Sequence, residues 1–292
     1  MAGQPGTKTV RVGTAGALAA EAVGTFMFVF AGTATILAVH KLNAGPTGLT
    51  AVDDIAISIA FAFGLVAAVY VVASASGAHL NPAVTVALAT VRKFPWSMVP
   101  GYFIAQFTGA ILAGLMNWFM FGGQLRETLI LGATAPGPDI PWYTALVTEF
   151  VLTLVLMVVI MATAVYERKP GGASQSGLAI GLWLGAAIFL ALPITGGSLN
   201  PARTLGPDIV AWQFPFWWVY IVGPVIGAVV GAALWTYVLA KGDKDVVEAG
   251  GPLQPVPAQR ARSSSDGWRN EGGRREGADV AGQARRAGGE RS

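Results

Sequence analysis

The chain alternates long apolar runs with short polar breaks. A helix crossing a bilayer needs about 20 apolar residues. Six segments reach that length or come close to it: residues 15–39, 55–75, 96–121, 143–165, 177–192 and 216–240. Two further apolar segments, 82–91 and 201–211, are too short to cross, and each follows a Gly- or Ser-rich stretch. Short segments at matching places in two halves predict half-helices that enter a membrane and turn back. The expected fold is an all-α membrane protein with six transmembrane helices and two re-entrant half-helices.

The two halves repeat. Asn81-Pro82-Ala83 recurs as Asn200-Pro201-Ala202, and Tyr102, Gly109 and Ala110 recur as Tyr220, Gly227 and Ala228. Glu21 has a counterpart in Glu149. Each repeat has three spans, so the second copy sits inverted relative to the first. An inverted repeat places its functional site at the midplane, where the copies meet. The expected organisation is a short cytoplasmic N-terminus (1–12), a membrane domain (13–241, repeats about 13–121 and 142–241) and a cytoplasmic tail (242–292). The tail is rich in Gly, Ser, Arg and Ala without an apolar period, a composition expected to stay disordered. The apolar run after Gly13 is too long for the core of a secretory signal and reads as the first span.

Composition agrees with lipid as the main solvent. Hydrophobic residues make up 53% of the chain and charged residues 12%, against about 25% charged in soluble domains. The net charge of +3 does not indicate nucleic acid, because the basic residues of the body fall at predicted span edges and the tail nearly cancels itself. There is no cysteine, and the histidines are His40 and His79. That removes disulfides, thiol chemistry and a Cys or His metal cluster, and no cofactor is expected. No nucleophile–base set suggests an enzyme.

With the N-terminus inside, the inner segments hold Lys8, Arg11, Arg92, Lys93, Arg168, Lys169, Lys241 and Lys244. The outer loops then hold Lys41, Arg126 and Arg203, balanced by Asp53, Asp54, Glu127, Asp139 and Asp208. The positive-inside rule therefore puts both termini in the cytoplasm, and a multi-pass protein of the cell (plasma) membrane is expected. Trp96, Trp142, Trp217 and Trp218 lie near span ends, as interface anchors do. Membrane lipid is the expected surrounding partner.

The chemistry concentrates at the short segments. Asn is a strong helix N-cap, because its side-chain oxygen accepts from amides of the first turn. Pro suits the first helical position. Asn81 and Asn200 would thus be fixed, with their NH₂ donors facing whatever passes at mid-membrane. The two half-helix N-termini each carry roughly half a positive charge. Together, at about 4 Å and an effective dielectric of about 20, they repel a cation by about 4 kcal/mol, about a thousandfold in rate. Arg203 is the third residue of the second predicted half-helix, and a fixed guanidinium inside a spanning protein is by default functional; the alternative is a structural role satisfying loop carbonyls. Carbonyls of Gly77, Ala78, His79, Gly196, Gly197 and Ser198 are candidates for an acceptor ladder, since non-helical backbone at membrane depth is tolerated where it lines a wet cavity. Glu21 and Glu149 read either as a proton relay or as acceptors for loop amides. Their repeat-related positions favour one structural job in each half.

The stretches Ser76-Gly-Ala-His-Leu-Asn-Pro-Ala-Val-Thr85 and Gly197-Ser-Leu-Asn-Pro-Ala-Arg-Thr-Leu-Gly-Pro207 resemble the two signature loops of the aquaporin (major intrinsic protein) family. Glu21-Ala-Val-Gly-Thr-Phe26 resembles its first helix and Ala105-Gln-Phe-Thr-Gly-Ala110 its third. The resemblance runs from about residue 13 to 240. It implies a homotetramer with one pore per subunit, conducting water or a small neutral solute and excluding protons and ions. Electrostatic exclusion by opposed half-helices is an established device of such channels. It also implies an outer constriction of Phe61, Ile188, Gly197 and Arg203, with Phe63 as the alternative to Phe61. Ile188 and Gly197 resemble the nodulin-like branch, which passes glycerol, polyols or metalloid acids. Thr204 stands where glycerol facilitators usually carry Asp, and Asp208 fits neither pattern. The expected function is a passive channel for water and small uncharged solutes. The alternatives are a glycerol or metalloid-acid facilitator with little water selectivity, and, from other classes, a proton-coupled transporter using Glu21 and Glu149 or a sealed structural membrane protein.

Overall fold

The computed structural model describes residues 13–43, 50–166 and 173–240. The expectations for the N-terminal segment and the tail, and the inner charges Lys8, Arg11, Arg168, Lys169, Lys241 and Lys244, lie outside the described residues.

Helix α1 (Thr14–Leu42) is followed by α2 (Ala51–Ser76), the half-helix α3 (Pro82–Thr90) and α4 (Val99–Phe121), which a 3-10 turn (Trp96–Met98) introduces. A short α5 (Gly123–Thr128) and a 3-10 turn (Ile130–Gly132) lead to the second copy. That copy comprises α6 (Trp142–Ile160), α7 (Ala173–Thr195), the half-helix α8 (Pro201–Ala211) and α9 (Val219–Leu234). Both α6 and α9 continue in a π-helical turn, Met161–Val165 and Trp235–Leu239. Six helices are long and apolar enough to cross a membrane among the described residues. The protein is a multi-pass membrane protein with the all-helical architecture read from the sequence.

Several helix ends differ from the hydropathy reading, among them the start of α2 and the end of α7. Helix α2 starts at Ala51 rather than near residue 55, because Thr50 and Asp53 form a reciprocal capping box. Asp53 and Asp54 therefore sit in the first turn of α2, where the helix dipole favours negative charge, and not in an outer loop. Helix α7 runs to Thr195 through Pro193, past the point where the apolar run ends.

Packing repeats like the sequence. Helix α1 packs on α2 and α4 as α6 packs on α7 and α9, while α3 lies on α9 and α8 on α4. The two halves meet along α2 and α7 and at the N-termini of α3 and α8. The α1–α4 and α6–α9 crossings share one device. A Cβ added at Gly109 would stand 2.2 Å from the Ala22 carbonyl oxygen, and one at Gly227 would stand 2.2 Å from that of Phe150. Small residues let helix backbones approach closely where lipid offers no hydrophobic drive for association. That approach brings Glu21 on α1 and Glu149 on α6 to the loops ahead of the half-helices.

Gly109→Ala and Gly227→Ala should each destabilise the protein by about 2 kcal/mol or more, since the new methyl meets fixed backbone. Gly123→Ala, with open space at its Cβ position, should stay within about 0.5 kcal/mol. Thermal unfolding of the purified variants in detergent checks the contrast.

Candidate functional site

Each re-entrant loop turns through left-handed backbone. Gly77, Ala78 and Leu80 have φ of 85°, 51° and 52°, and their counterparts Gly196, Gly197 and Leu199 have 77°, 64° and 56°. Such angles suit glycine and strain other residues, so three non-glycine residues need compensating contacts. Glu21 supplies them in the first half. Its Oε1 accepts from the Ser76 hydroxyl at 2.7 Å and the His79 amide at 2.9 Å, and its Oε2 from the Leu80 amide and Gln106 Nε2, both at 2.7 Å. Glu149 does the same in the second half. Its Oε1 accepts from the Thr195 hydroxyl at 2.7 Å and the Ser198 amide at 2.9 Å, and its Oε2 from the Leu199 amide at 2.7 Å. Both carboxylates are fully buried.

With the amides turned toward the glutamates, the carbonyls of the loops are turned elsewhere. Those at the two helix ends are held: Tyr102 donates to Ser76 O at 2.7 Å and Tyr220 to Thr195 O at 2.8 Å. Those of Gly77, Ala78, His79, Gly196, Gly197 and Ser198 accept no hydrogen bond recorded among the described residues, which leaves them free to act as acceptors.

The half-helix caps form as their chemistry dictates. Asn81 Oδ1 accepts from the Ala83 amide at 2.8 Å, and Asn200 Oδ1 from the Ala202 amide at 2.9 Å and the Arg203 amide at 3.4 Å. Pro82 and Pro201 occupy the first helical positions, with Ala83 and Ala202 buried behind them. The NH₂ groups differ from the sequence expectation. Asn81 Nδ2 donates to Leu199 O at 2.8 Å, and Asn200 Nδ2 donates to Leu80 O at 2.8 Å. An amide nitrogen carries two hydrogens, so one on each side chain ties the two loops together across the repeat. One hydrogen, not two, remains for a passing molecule. The reason is local: the left-handed Leu80 and Leu199 leave buried carbonyls that would otherwise lack a donor.

Phe61 and Phe63, the alternatives for one position of the expected constriction, separate clearly. Phe61 is fully buried, whereas Phe63 is 61% exposed on the outer surface of α2. The Arg203 guanidinium lies 4.7 Å from the Phe61 ring centroid. Gly197 and Ile188 are also adjacent, since a Cβ on Gly197 would stand 3.2 Å from Ile188 Cα. The structure thus brings the four constriction candidates into two contacting pairs. Arg203 is buried, and its Nη1 donates to Gly132 O at 2.7 Å, while Nε and Nη2 have no partner among the described residues.

Several supporting residues were not singled out from the sequence. Gly132 holds Arg203, and Asn117 Nδ2 steadies the same loop through Leu131 O (3.4 Å) and the Thr33 hydroxyl (2.7 Å). Thr134 shares a 2.5 Å hydroxyl contact with Thr204, which is also 2.6 Å from the Ser198 hydroxyl. The matching first-half group is Thr85, joined to Gln106 at 3.0 Å and His79 Nδ1 at 3.2 Å. Gly32 gives Phe61 its space, as a Cβ there would fall 2.2 Å from the ring. The segment between α4 and α6 has no periodicity, so the sequence offered no sign that it returns to the constriction. Asp208, which the charge pattern assigns to the outer loops, lies instead within α8 with no exposed surface.

The comparisons with known proteins agree with this geometry. A family model described as "Major intrinsic protein" matches residues 8–235. A probable aquaporin, AqpM, of Archaeoglobus fulgidus is 43% identical over 241 residues, spanning 76% of this chain and 96% of the relative. The rice (Oryza sativa subsp. japonica) aquaporin NIP1-1 is 41% identical over 218 residues, 75% of this chain and 72% of its own. Among solved structures, the aquaglyceroporin from Plasmodium falciparum superposes with a TM-score of 0.68 at 24% identity, covering 78% of this chain and 98% of that one, a likeness of fold. Two halves built on matching Asn-capped half-helices, together with these matches, establish that the chain belongs to the major intrinsic protein family, the aquaporin channels for water or small neutral solutes.

Proposed function

We propose that this channel conducts water and small uncharged solutes passively along a path lined by Asn81 and Asn200 and narrowed by Phe61, Ile188, Gly197 and Arg203. The observation that carries the reading is the pair of crossed asparagine caps. They present one free donor each at the meeting point of two helix N-termini, where a cation is repelled and a neutral hydrogen-bonding molecule is not. Free carbonyls on both re-entrant loops give the same molecule acceptors on either side of that point. The two unpartnered nitrogens of Arg203 supply further donors. The channel domain is read as residues 13–241, in the plasma membrane with both termini cytoplasmic, assembled as a homotetramer with a pore in each subunit.

A wider solute range, including glycerol or metalloid acids, is the second reading. It is favoured by Gly197, which adds no side chain, and by the apolar Ile188 beside it. Phe61 against Arg203 favours the narrower, water-conducting form. A proton relay through Glu21 and Glu149 is disfavoured, because both carboxylates are fully buried and their oxygens are taken up by loop donors.

Proteoliposomes of the purified protein should shrink rapidly in stopped-flow light scattering with an impermeant osmolyte. Re-swelling in glycerol distinguishes the two solute readings. Flux no faster than in empty vesicles, with folded protein, would overturn the open-channel reading. Arg203→Val should raise urea and proton permeability by about tenfold or more in the same vesicles; unchanged values would remove Arg203 from the constriction. Glu149→Gln should lower stability by about 1–3 kcal/mol, because its NH₂ group faces amides that have lost an acceptor, and should create no solute-coupled proton movement in a pH-dye assay.

A further inference from the structure

Helix α8 carries two buried groups of opposite charge, and neither has a neutralising partner in contact. The guanidinium of Arg203, in the first turn, makes one hydrogen bond among the described residues, to a neutral carbonyl. Asp208 has no exposed surface, and neither carboxylate oxygen accepts a hydrogen bond from the described residues. It is not a capping residue, since its side chain bonds none of the turn amides; the Gln213 amide goes to its backbone oxygen instead. An aliphatic side chain would fill the same space without the desolvation cost of a carboxylate, so packing does not account for an acid here.

Position does account for it. Five residues along an α-helix advance about 7.5 Å along its axis, close enough for interaction at low dielectric and too far for a direct contact. Asp208 is also one turn beyond Thr204, hence on the same face of α8 as the Thr134–Thr204–Ser198 hydroxyl chain, behind the constriction. The other carboxylate near Arg203 is Glu149, and its oxygens are engaged by Thr195, Ser198 and Leu199.

We propose that Asp208 is a specificity-determining residue, whose carboxylate counter-charges Arg203 from behind α8. The arginine then keeps its directed donors while the constriction as a whole carries little net charge, and anions gain no foothold where cations are refused. This proposal rests on the reading of Arg203 as the charge of the constriction.

The test pairs two small solutes of similar size, urea and methylammonium, in proteoliposomes at pH 8.5, a condition favouring the ionised carboxylate. Arg203→Val leaves Asp208 uncompensated and should admit methylammonium. Adding Asp208→Asn should lower that methylammonium flux by about tenfold while urea flux changes by less than about twofold. In the wild-type background, Asp208→Asn should raise nitrate permeability by about tenfold with water flux intact. If Arg203→Val admits methylammonium and the added Asp208→Asn leaves it unchanged, or lowers urea and methylammonium equally, the counter-charge role is overturned while the Arg203 reading stands. If Arg203→Val admits no methylammonium, the Arg203 reading fails first. Asp208→Ser, smaller and neutral, replaces the Asn variant should that fail to fold.

Discussion

A buried carboxylate on a bundle helix, accepting from the amides of a re-entrant loop, is the interaction on which the rest of this channel depends. A chain that enters the membrane and turns back exposes peptide groups that lipid does not satisfy. Glu21 and Glu149 each take two backbone amides and a hydroxyl of the loop beside them. Hydrogen bonds to a charged group are worth about 1.5–3 kcal/mol each, enough to hold the left-handed residues that the loops require. Once the amides are drawn to one side, the carbonyls are left on the other. The same contact thus secures the loop and leaves its carbonyls without internal partners among the described residues.

The asparagine pair follows from that arrangement. Each left-handed leucine leaves a carbonyl pointed across the repeat axis, and each asparagine answers it with one N–H. The half-helices are therefore pinned to each other as well as capped. Each asparagine side chain is thereby held at both its oxygen and its nitrogen, in one fixed orientation. The two halves also differ: the threonine of each half-helix is met by Gln106 in the first half and by Thr134 in the second, Gln106 reaches Glu21 as well, and Arg203 is held by Gly132 in the second half alone.

Much of this was legible in the residues. Apolar run length set the six crossings, and Asn-Pro-Ala set the half-helix starts, because N-cap chemistry and proline geometry are local properties. Gly109 and Gly227 were visible as a repeated pair, but that they sit at the close helix crossings is a fact of the packing. The hydropathy reading misplaced the start of α2, since a capping box recruits polar residues into a helix that an apolar count excludes.

What the sequence by itself determined is the set of elements, their inverted pairing and the residue types that meet at the centre, all of which follow from spacing and local backbone preference. What only the tertiary structure decided is which atoms remain unoccupied there. One asparagine hydrogen is consumed by the opposite loop, Phe61 and not Phe63 turns inward, and Gly132 returns from a segment without pattern to hold Arg203. Asp208 counts only as one more outer-loop charge until α8 is packed and its carboxylate is found buried. Those outcomes depend on donors and acceptors brought together from distant parts of the chain, and no local rule of helix or turn specifies such pairings.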